Sequence, residues 1–314
     1  MSNKAAWITA IGTAAMAITG TIAILNTSPT KESSENNITI INSPSIDLRT
    51  PNTKKDPPSI DINIETAEPA KIKEMPEKAH NPNNSLPTLE GKNIIVGGFD
   101  VLRSGEYSFT DGQAFDKARL SLVENFSNIL FMSSNTLGRE FLNGIDILIL
   151  TSAKANTSHS TPLITKEIES LYSFVREGGC AILMADNDSF GGNETPRANN
   201  NLISAFNMNI VGTKFGKEMV NVTTNINNPI TSGSFGNIVS FSQNYPGGIR
   251  KTPSYASNLA TNSLGTALVY IEKGIISPKS GPVTVYSDAN TFSNSAGFFN
   301  ENKNLFLYTV SSCL

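Results

Sequence analysis

The chain has 314 residues, of which 39% are hydrophobic and 16% are charged, and its formal net charge is −3 at pH 7. This slightly acidic balance, without a basic patch or stripe, argues against a non-specific nucleic-acid binder, so we expect no nucleic-acid partner. Two cysteines and two histidines argue against a zinc ribbon, an iron–sulfur protein and a disulfide-dense scaffold.

The chain begins with an uncharged apolar segment, residues 5–25. A helix of this length is about 31 Å long, which is enough to span a bilayer core of ~30 Å. Lys4 precedes the segment and Trp7 lies near its start, which favours a cytoplasmic N-terminus with the rest exported. We therefore predict a signal-anchor helix over residues 1–25, with the membrane as partner through 5–25. A cleaved signal peptide and a buried helix are the alternatives.

Residues 26–90 are predicted to form a disordered linker. Apolar residues in this stretch are too sparse and aperiodic to build a core. Proline recurs throughout and favours extended backbone, at Pro44, Pro51, Pro57, Pro58, Pro69, Pro76, Pro82 and Pro87. We interpret the stretch as a semi-rigid spacer that separates a domain from the membrane. The alternative is a segment that orders when it docks on a protein partner, for example one in the cell envelope.

Residues 91–314 are predicted to form one α/β domain, because short apolar runs alternate with helical patterns. The predicted strands are 93–98, 128–132, 145–150, 180–185 and 282–287, with several weak strands between 208 and 272. The predicted helices are 113–126, 165–177, 200–206 and 302–312, with Thr165 as an N-cap. Strands that are apolar throughout and separated by helices indicate a doubly wound, mostly parallel sheet covered on both faces. The glycine pair Gly97-Gly98 after the first strand is assigned to close packing, with a phosphate contact as the alternative.

Several segments of this domain occur in an order that is characteristic as a set: IIVGGFD, DILIL, FVREGG directly before CAILMAD, NNLISAFNMNI, NNPITSG, VTVYSDANTFSN and NKNLFLYTVSSCL. In this order they resemble the class I glutamine amidotransferase-like superfamily. The branch they resemble contains poorly characterised, often membrane-associated bacterial proteins and the trehalose-utilisation-protein-like group. Asp288, Asn290, Asn294 and Asn304 fall on the ending that is common in these relatives. The resemblance implies a flavodoxin-like sheet.

The resemblance also implies a test for catalysis. Catalytic members carry a cysteine nucleophile in a G-x-C-x-G turn after the fourth strand, where this chain has Ala185-Asp186-Asn187-Asp188-Ser189. Cys180 lies about five residues earlier, where we expect a buried small hydrophobe, and Cys313 lies in the predicted closing helix. Amidotransferase chemistry needs an activated nucleophile that faces the substrate, so we predict no catalytic residues of that kind.

Polar residues follow the predicted strands at the edge where open α/β sheets bind ligands. The candidate ligand-binding residues are Asp100, Asp186, Asn187, Asp188, Asp288 and Asn290. The pair Asp186 and Asp188 is suited to binding a hard cation, or to dividing acid and base roles. The alternative is that Asp186 caps a turn and Asp188 is solvated. For Asp288 and Asn290 the alternative is that they hold the last loop through bonds to the backbone.

Two further features of the domain are assigned to ordinary loops. His159 is the only histidine in the domain, and no nucleophile elbow surrounds the neighbouring serines. Gly191-Gly192 is either a turn or a mobile cover over the cleft.

Together these patterns predict a membrane-anchored, extracytoplasmic module, in the periplasm or on the cell surface, that binds a ligand or a protein. We expect no cofactor, with a divalent cation as the alternative. The competing hypotheses are a carboxylate- or metal-dependent hydrolase acting on an envelope or glycan substrate, and a structural subunit of an envelope complex.

Overall fold

The computed structural model describes residues 93–152, 161–189, 194–223, 228–294 and 300–314. The chain divides into two units, Met1–Glu74 and Met75–Leu314, and all described residues lie in the second. The predicted signal-anchor helix and linker lie outside the described residues, as do His159 and Gly191-Gly192. Among the helices that are described, none has both the length and the apolar character needed to cross a membrane.

The described residues alternate between strands and helices in the first half and are mainly strands in the second. The strands are β1 Ile94–Phe99, β2 Ile129–Ser134, β3 Ile147–Thr151, β4 Cys180–Met184, β5 Asn209–Val211, β6 Lys217–Asn221, β7 Ser240–Asn244, β8 Gly248–Lys251, β9 Ser257–Asn262, β10 Gly265–Ile271 and β11 Val283–Tyr286. The α-helices are α1 Val101–Ser104, α2 Asp116–Asn125, α3 Arg139–Asn143, α4 Thr165–Arg176, α5 Thr195–Ser204 and α6 Asn300–Ser311. Short 3₁₀ helices span Gly105–Tyr107, Gln113–Phe115 and Ala289–Phe292.

Five of these strands form a parallel sheet in the order β2-β1-β3-β4-β11. This is the strand order of flavodoxin-like, doubly wound proteins. The predicted α/β class and parallel sheet are therefore confirmed. Beyond β11 the same sheet continues with antiparallel strands, β10, β8 and β5, while β9 pairs with β10. Strands β6 and β7 form a separate antiparallel pair.

The central strands are buried on both faces, as their uninterrupted apolar sequences predict. Alternate side chains of β3 enter different cores: Ile147 and Ile149 pack on the side of α2 and α6, whereas Leu148 and Leu150 pack on the side of α3, α4 and α5. The close packing assigned to Gly97 is confirmed, because a Cβ there would lie 2.5 Å from the Ile145 side chain.

Two local predictions are wrong. Thr165 is not the N-cap of α4; the cap position is Ile164, whose backbone N–H donates to the Glu167 carboxylate at 3.1 Å. Cys313 lies after the end of α6, where it forms a disulfide with Cys180. Cys180 is buried, as expected, but it is not a free small hydrophobe. The sequence gives no local signal for this bond, because the two cysteines are 133 residues apart.

Candidate functional site

The carboxyl ends of β4 and β11 lie side by side, because the two strands pair in parallel with Met184 opposite Tyr286. Asp186 therefore follows one strand and Asp288 follows its neighbour. Both side chains are buried, with exposed fractions of 1% and 0%. The charge of Asp288 acts on the carboxyl of Asp186, so the structure brings together these two candidates. We call Asp186, Asp288, Asn290 and Tyr107 the acidic cluster.

Asp186 is only half satisfied by its hydrogen bonds. Its Oδ1 accepts from the backbone N–H of Asn187 at 2.7 Å and from the Asn187 amide at 2.9 Å. Its Oδ2 is buried and has no hydrogen-bond partner. A buried acceptor of this kind is costly as an anion, and a protonated carboxyl would present a donor instead.

Asp288 differs because both of its oxygens are occupied. Oδ1 accepts from the backbone N–H of Asn290 at 2.7 Å, and Oδ2 accepts from the backbone N–H of Asn244 at 2.7 Å. The Thr291 hydroxyl donates a longer bond to Oδ2 at 3.5 Å. The loop-holding alternative is thus realised: Asp288 closes its own turn and fixes the end of β7.

Burial, and for Asp186 also the charge of Asp288, raises the pKa values of these two carboxyls. Burial, and then the charge of Asp288, raise the pKa of Asp186 well above its ordinary range. Burial raises the pKa of Asp288 to about 7, against the opposing effect of its backbone hydrogen bonds. The two groups titrate as a pair, and around neutral pH the cluster retains at least part of its protons.

Tyr107 is the fourth member of the acidic cluster, and no sequence pattern identified it as a site residue. Its hydroxyl donates to Asn290 Oδ1 at 2.7 Å, and the Asn290 amide donates to the backbone carbonyl of Asn244 at 3.2 Å. Burial, followed by the charges of Asp186 and Asp288, raises the pKa of Tyr107. Tyr107 lies in a short 3₁₀ turn, 183 residues from Asn290, so no local sequence pattern indicates that the two side chains are in contact.

Asn187 and Asn199 tie the turn after β4 to α5. The Asn199 side chain accepts from the backbone N–H of Asp186 at 2.7 Å and from the Ser152 hydroxyl. Asn187 Oδ1 accepts from the backbone and hydroxyl of Ser189, and its amide donates to the carbonyl of Tyr245 at 2.7 Å. The candidate Asn187 is thus committed to holding the turn together.

Asp188 lies at the rim of the cluster and is half-buried. Its Oδ2 accepts from the backbone N–H of Gly212, while its Oδ1 has no partner. The solvated alternative is therefore wrong for this oxygen, which is shielded from solvent.

Asp100 acts as a helix cap. Its carboxylate accepts from the backbone N–H of Arg103 at the start of α1. Arg103 forms a two-pronged ion pair with Glu167 of α4 at 2.5 and 2.9 Å and stacks on the ring of Phe99. Burial alone would raise the pKa of Glu167, but the hydrogen bonds from Arg103 and Ile164 outweigh it and lower that pKa. This pair was also missed, because its members are 64 residues apart.

Asn294 and Asn304, the two other residues singled out near the C-terminus, hold loops in place. Asn294 accepts from the backbone N–H of Lys117 and donates to the carbonyl of Gln113, and Asn304 donates to the carbonyl of Phe235. In the part of the chain that the structure describes, no three histidine, cysteine, aspartate or glutamate side chains are grouped so as to hold a metal ion.

No family model matches the chain, and no curated protein matches it. Similar solved structures include the N-terminal domain of mmIFT52, with 14% identity, a TM-score of 0.45, and 68% of this chain and 93% of that one covered. A GMP synthase subunit from Thermoplasma acidophilum has 14% identity and a TM-score of 0.44, with 71% and 94% covered. A ThuA-like protein from Bacteroides uniformis has 14% identity and a TM-score of 0.42, with 71% and 92% covered. These distant similarities assign neither a family nor an activity.

Proposed function

We propose that residues 91–314 form a ligand-binding module with a degenerate amidotransferase-like fold, whose site lies at the carboxyl ends of β4 and β11. The main support for this proposal comes from the residues in the turn after β4. Asp186, Asn187, Asp188 and Ser189 occupy it with a hydrogen-bonded network, and both cysteines are bonded to each other at the opposite end of the strand. No thiolate is available there to attack a substrate.

The side chains that remain at this site are suited to binding a ligand. Asp186 Oδ2 and Asp188 Oδ1 are buried without partners, whereas the surrounding amides are engaged in holding loops. A ligand that supplies hydrogen-bond partners to these two oxygens relieves their desolvation. We propose that no cofactor takes part in this binding. The alternative is a divalent cation, and ligand binding measured with and without a chelator distinguishes the two.

The test is turnover by the full chain on L-glutamine and on a panel of glycosides, esters and amides. We expect no hydrolysis above background. Turnover that disappears in D186N, in a folded protein and with D111N as the control at an exposed carboxylate, would overturn the binding proposal.

Such a result would support a second candidate, a carboxylate-dependent hydrolase. The observation that favours it is the buried pair of Asp186 and Asp288, whose raised pKa values suit general acid–base chemistry near neutral pH.

We further propose that the module is anchored through residues 5–25 and lies outside the cytoplasm, where it meets its ligand or an envelope protein. The apolar segment and the Cys180–Cys313 disulfide support this, because disulfides persist mainly in oxidising compartments. Thiol labelling of the chain taken directly from cells tests it. We expect both cysteines to resist labelling until a reductant is added, and free thiols would contradict the proposal.

A further inference from the structure

Strand β2 lies at one edge of the sheet and, among the described strands, pairs only with β1. The two strands pair in a regular register over the six residues of β2, without a bulge. Leu130 is 49% exposed and Met132 is 39% exposed. Both side chains lie on the same face of the strand, because side chains alternate along it. We call β2 with these two side chains the open edge.

One row of backbone groups on β2 faces away from the sheet. The Asp100 N–H donates to the Ser134 carbonyl at 3.0 Å, which shows that the Ser134 backbone faces β1. Backbone groups along a paired strand point alternately toward the partner strand and away from it. The N–H and C=O groups of Ile129, Phe131 and Ser133 therefore point outward, where another strand can bind them.

The open edge lacks the features that normally protect a sheet edge, which are charges, prolines, bulges and short length. Strand β5, at the other end of the strand order, has only three residues and pairs with β8 in an irregular register. By contrast, residues 126–138, which include β2, contain no proline and no charged residue. An unprotected apolar edge is a template for a further strand, so we expect this one to be covered.

The sequence of β2 is suited to pairing with a second copy of itself. In an antiparallel pair centred on Phe131, the two Phe131 residues exchange backbone hydrogen bonds, and Ile129 does so with Ser133 of the second copy. This register places Leu130 opposite Met132 of the second copy, at the close spacing of a non-hydrogen-bonded pair. The lack of charge favours this partner, because a symmetric contact brings identical surfaces, and so like charges, together.

Helix α2 enlarges the surface available to a second copy. The β2 edge alone is smaller than a standard interface, which buries about 800 Å² on each partner. The Arg119 guanidinium lies 5.0 Å from the centre of the Phe131 ring, so this side of α2 lies along the open edge. Leu120 and Val123, beside Arg119 on the helix, are both exposed. The charge of Arg119 is balanced within the same helix by Asp116, at 3.5 Å.

We propose that the protein forms a symmetric dimer in which the two β2 strands pair antiparallel at Phe131, and in which the exposed apolar side chains of the two α2 helices pack across the same axis. The sheet then continues from one copy into the other. This inference does not depend on the proposed function, because β1 and β3 separate β2 from β4 and its candidate ligand site.

The first test is the mass of the full chain in a non-ionic detergent, measured by sedimentation from about 1 µM to about 100 µM, a range suited to a small interface. We expect a dimer, and we expect M132K to weaken dimerisation at least about tenfold, because the lysine charge is buried against Leu130 of the second copy. M219K is the matched control, since Met219 is an exposed methionine on β6. It should dimerise as the wild type does. Both variants keep residues 5–25, so association through that segment would leave them equal.

The second test examines the register and does not require a buried charge. L130C and M132C proteins with different tags are mixed and mildly oxidised, while the native cysteines are already bonded to each other. We expect a cross-linked heterodimer in the mixture and no cross-link in either protein alone, because a residue and its own copy are diagonal neighbours about 7–8 Å apart, too far for a disulfide.

The inference fails if the wild type is a monomer over the whole concentration range, or if M132K and M219K associate equally. It also fails if L130C cross-links with itself rather than with M132C, because the strands would then pair in a different register.

Discussion

The two ends of β4 differ in chemistry and in shape. At the amino-terminal end Cys180 is bonded to Cys313, and a cavity of about 790 Å³ lies beside them, lined largely by exposed side chains of α3 and α4. At the carboxyl-terminal end Asp186 lies in a dense buried network and faces the charge of Asp288. The presence of this cavity would direct attention to the first end. Strand-end topology and unsatisfied carboxylate oxygens direct it to the second.

The two ends of β4 are also stabilised by different kinds of interaction, one covalent and the other electrostatic. One end is held by a bond that any oxidising environment maintains, whereas the other is held by hydrogen bonds that depend on protonation. Changes at the amino-terminal end should therefore alter stability at every pH. Changes in the acidic cluster should alter how stability depends on pH.

The largest effect is expected from the amino-terminal end. Replacing both cysteines, C180S with C313S, should lower the free energy of unfolding by about 3–5 kcal/mol, because the disulfide closes a long loop and restricts the unfolded chain. Urea unfolding measures this loss. A reductant should destabilise the wild type to a similar extent and leave the double variant unchanged. A loss under about 1 kcal/mol would mean that the bond constrains little.

At the carboxyl-terminal end, D288N should cost about 1–3 kcal/mol. Both oxygens of Asp288 accept backbone N–H groups, from Asn290 and Asn244. An asparagine keeps one acceptor and places an NH₂ group against the other donor, so one buried N–H loses its partner. Chemical unfolding at pH 5, where the wild-type pair is more fully protonated, measures the cost. Wild-type stability for D288N would contradict the hydrogen-bond assignment.

A smaller effect is expected for Y107F, which removes the hydroxyl that donates to Asn290 and keeps the packed ring. The loss should be about 1 kcal/mol, the usual net value of one hydrogen bond. Y270F is a suitable comparison, because Tyr270 is also buried but lies away from the cluster, on β10. If Y107F changes the pH dependence of unfolding and Y270F does not, the Tyr107 side chain interacts electrostatically with the carboxyls of the acidic cluster.

How far the sequence predicts this molecule depends on whether the signal is local. Strands β3 and β4 were predicted within about two residues, because a continuous apolar run is a local pattern. The antiparallel half was predicted only as weak strands. Strand β6, for example, reads KEMVN and has one buried residue, so its pairing with β7 depends on distant contacts.

The candidate site divides in the same way. The strand-end rule identified Asp186 and Asp288 as neighbours, because it needs only the topology. It placed Asp100 in the same cleft, although the capping bond to Arg103 assigns that side chain to α1. Tyr107 and the disulfide were missed, since their partners lie 183 and 133 residues away.

The finest test concerns D186N, because this change leaves the hydrogen bonds of Asp186 intact. Asparagine Oδ1 can accept both donors from Asn187, and its NH₂ group replaces the oxygen that has no partner. At pH 5 we therefore expect a change of less than about 1 kcal/mol. The variant differs from the wild type mainly in that it cannot ionise.

The expected pH dependence follows from the direction of the pKa changes. Folding raises the pKa of Asp186 and of Asp288, so between about pH 4 and pH 7 the folded state holds more protons than the unfolded state. The stability that this pair supplies is fully present below the unfolded pKa and is lost as the pH rises through the folded pKa. The wild type should therefore lose unfolding free energy from pH 5 to pH 8, and D186N should lose less and equal or exceed the wild type at pH 8. D111N should keep the wild-type slope. An unchanged slope in D186N would show that Asp186 is already ionised in the folded protein, and the contrast between the two ends of β4 would then be one of packing alone.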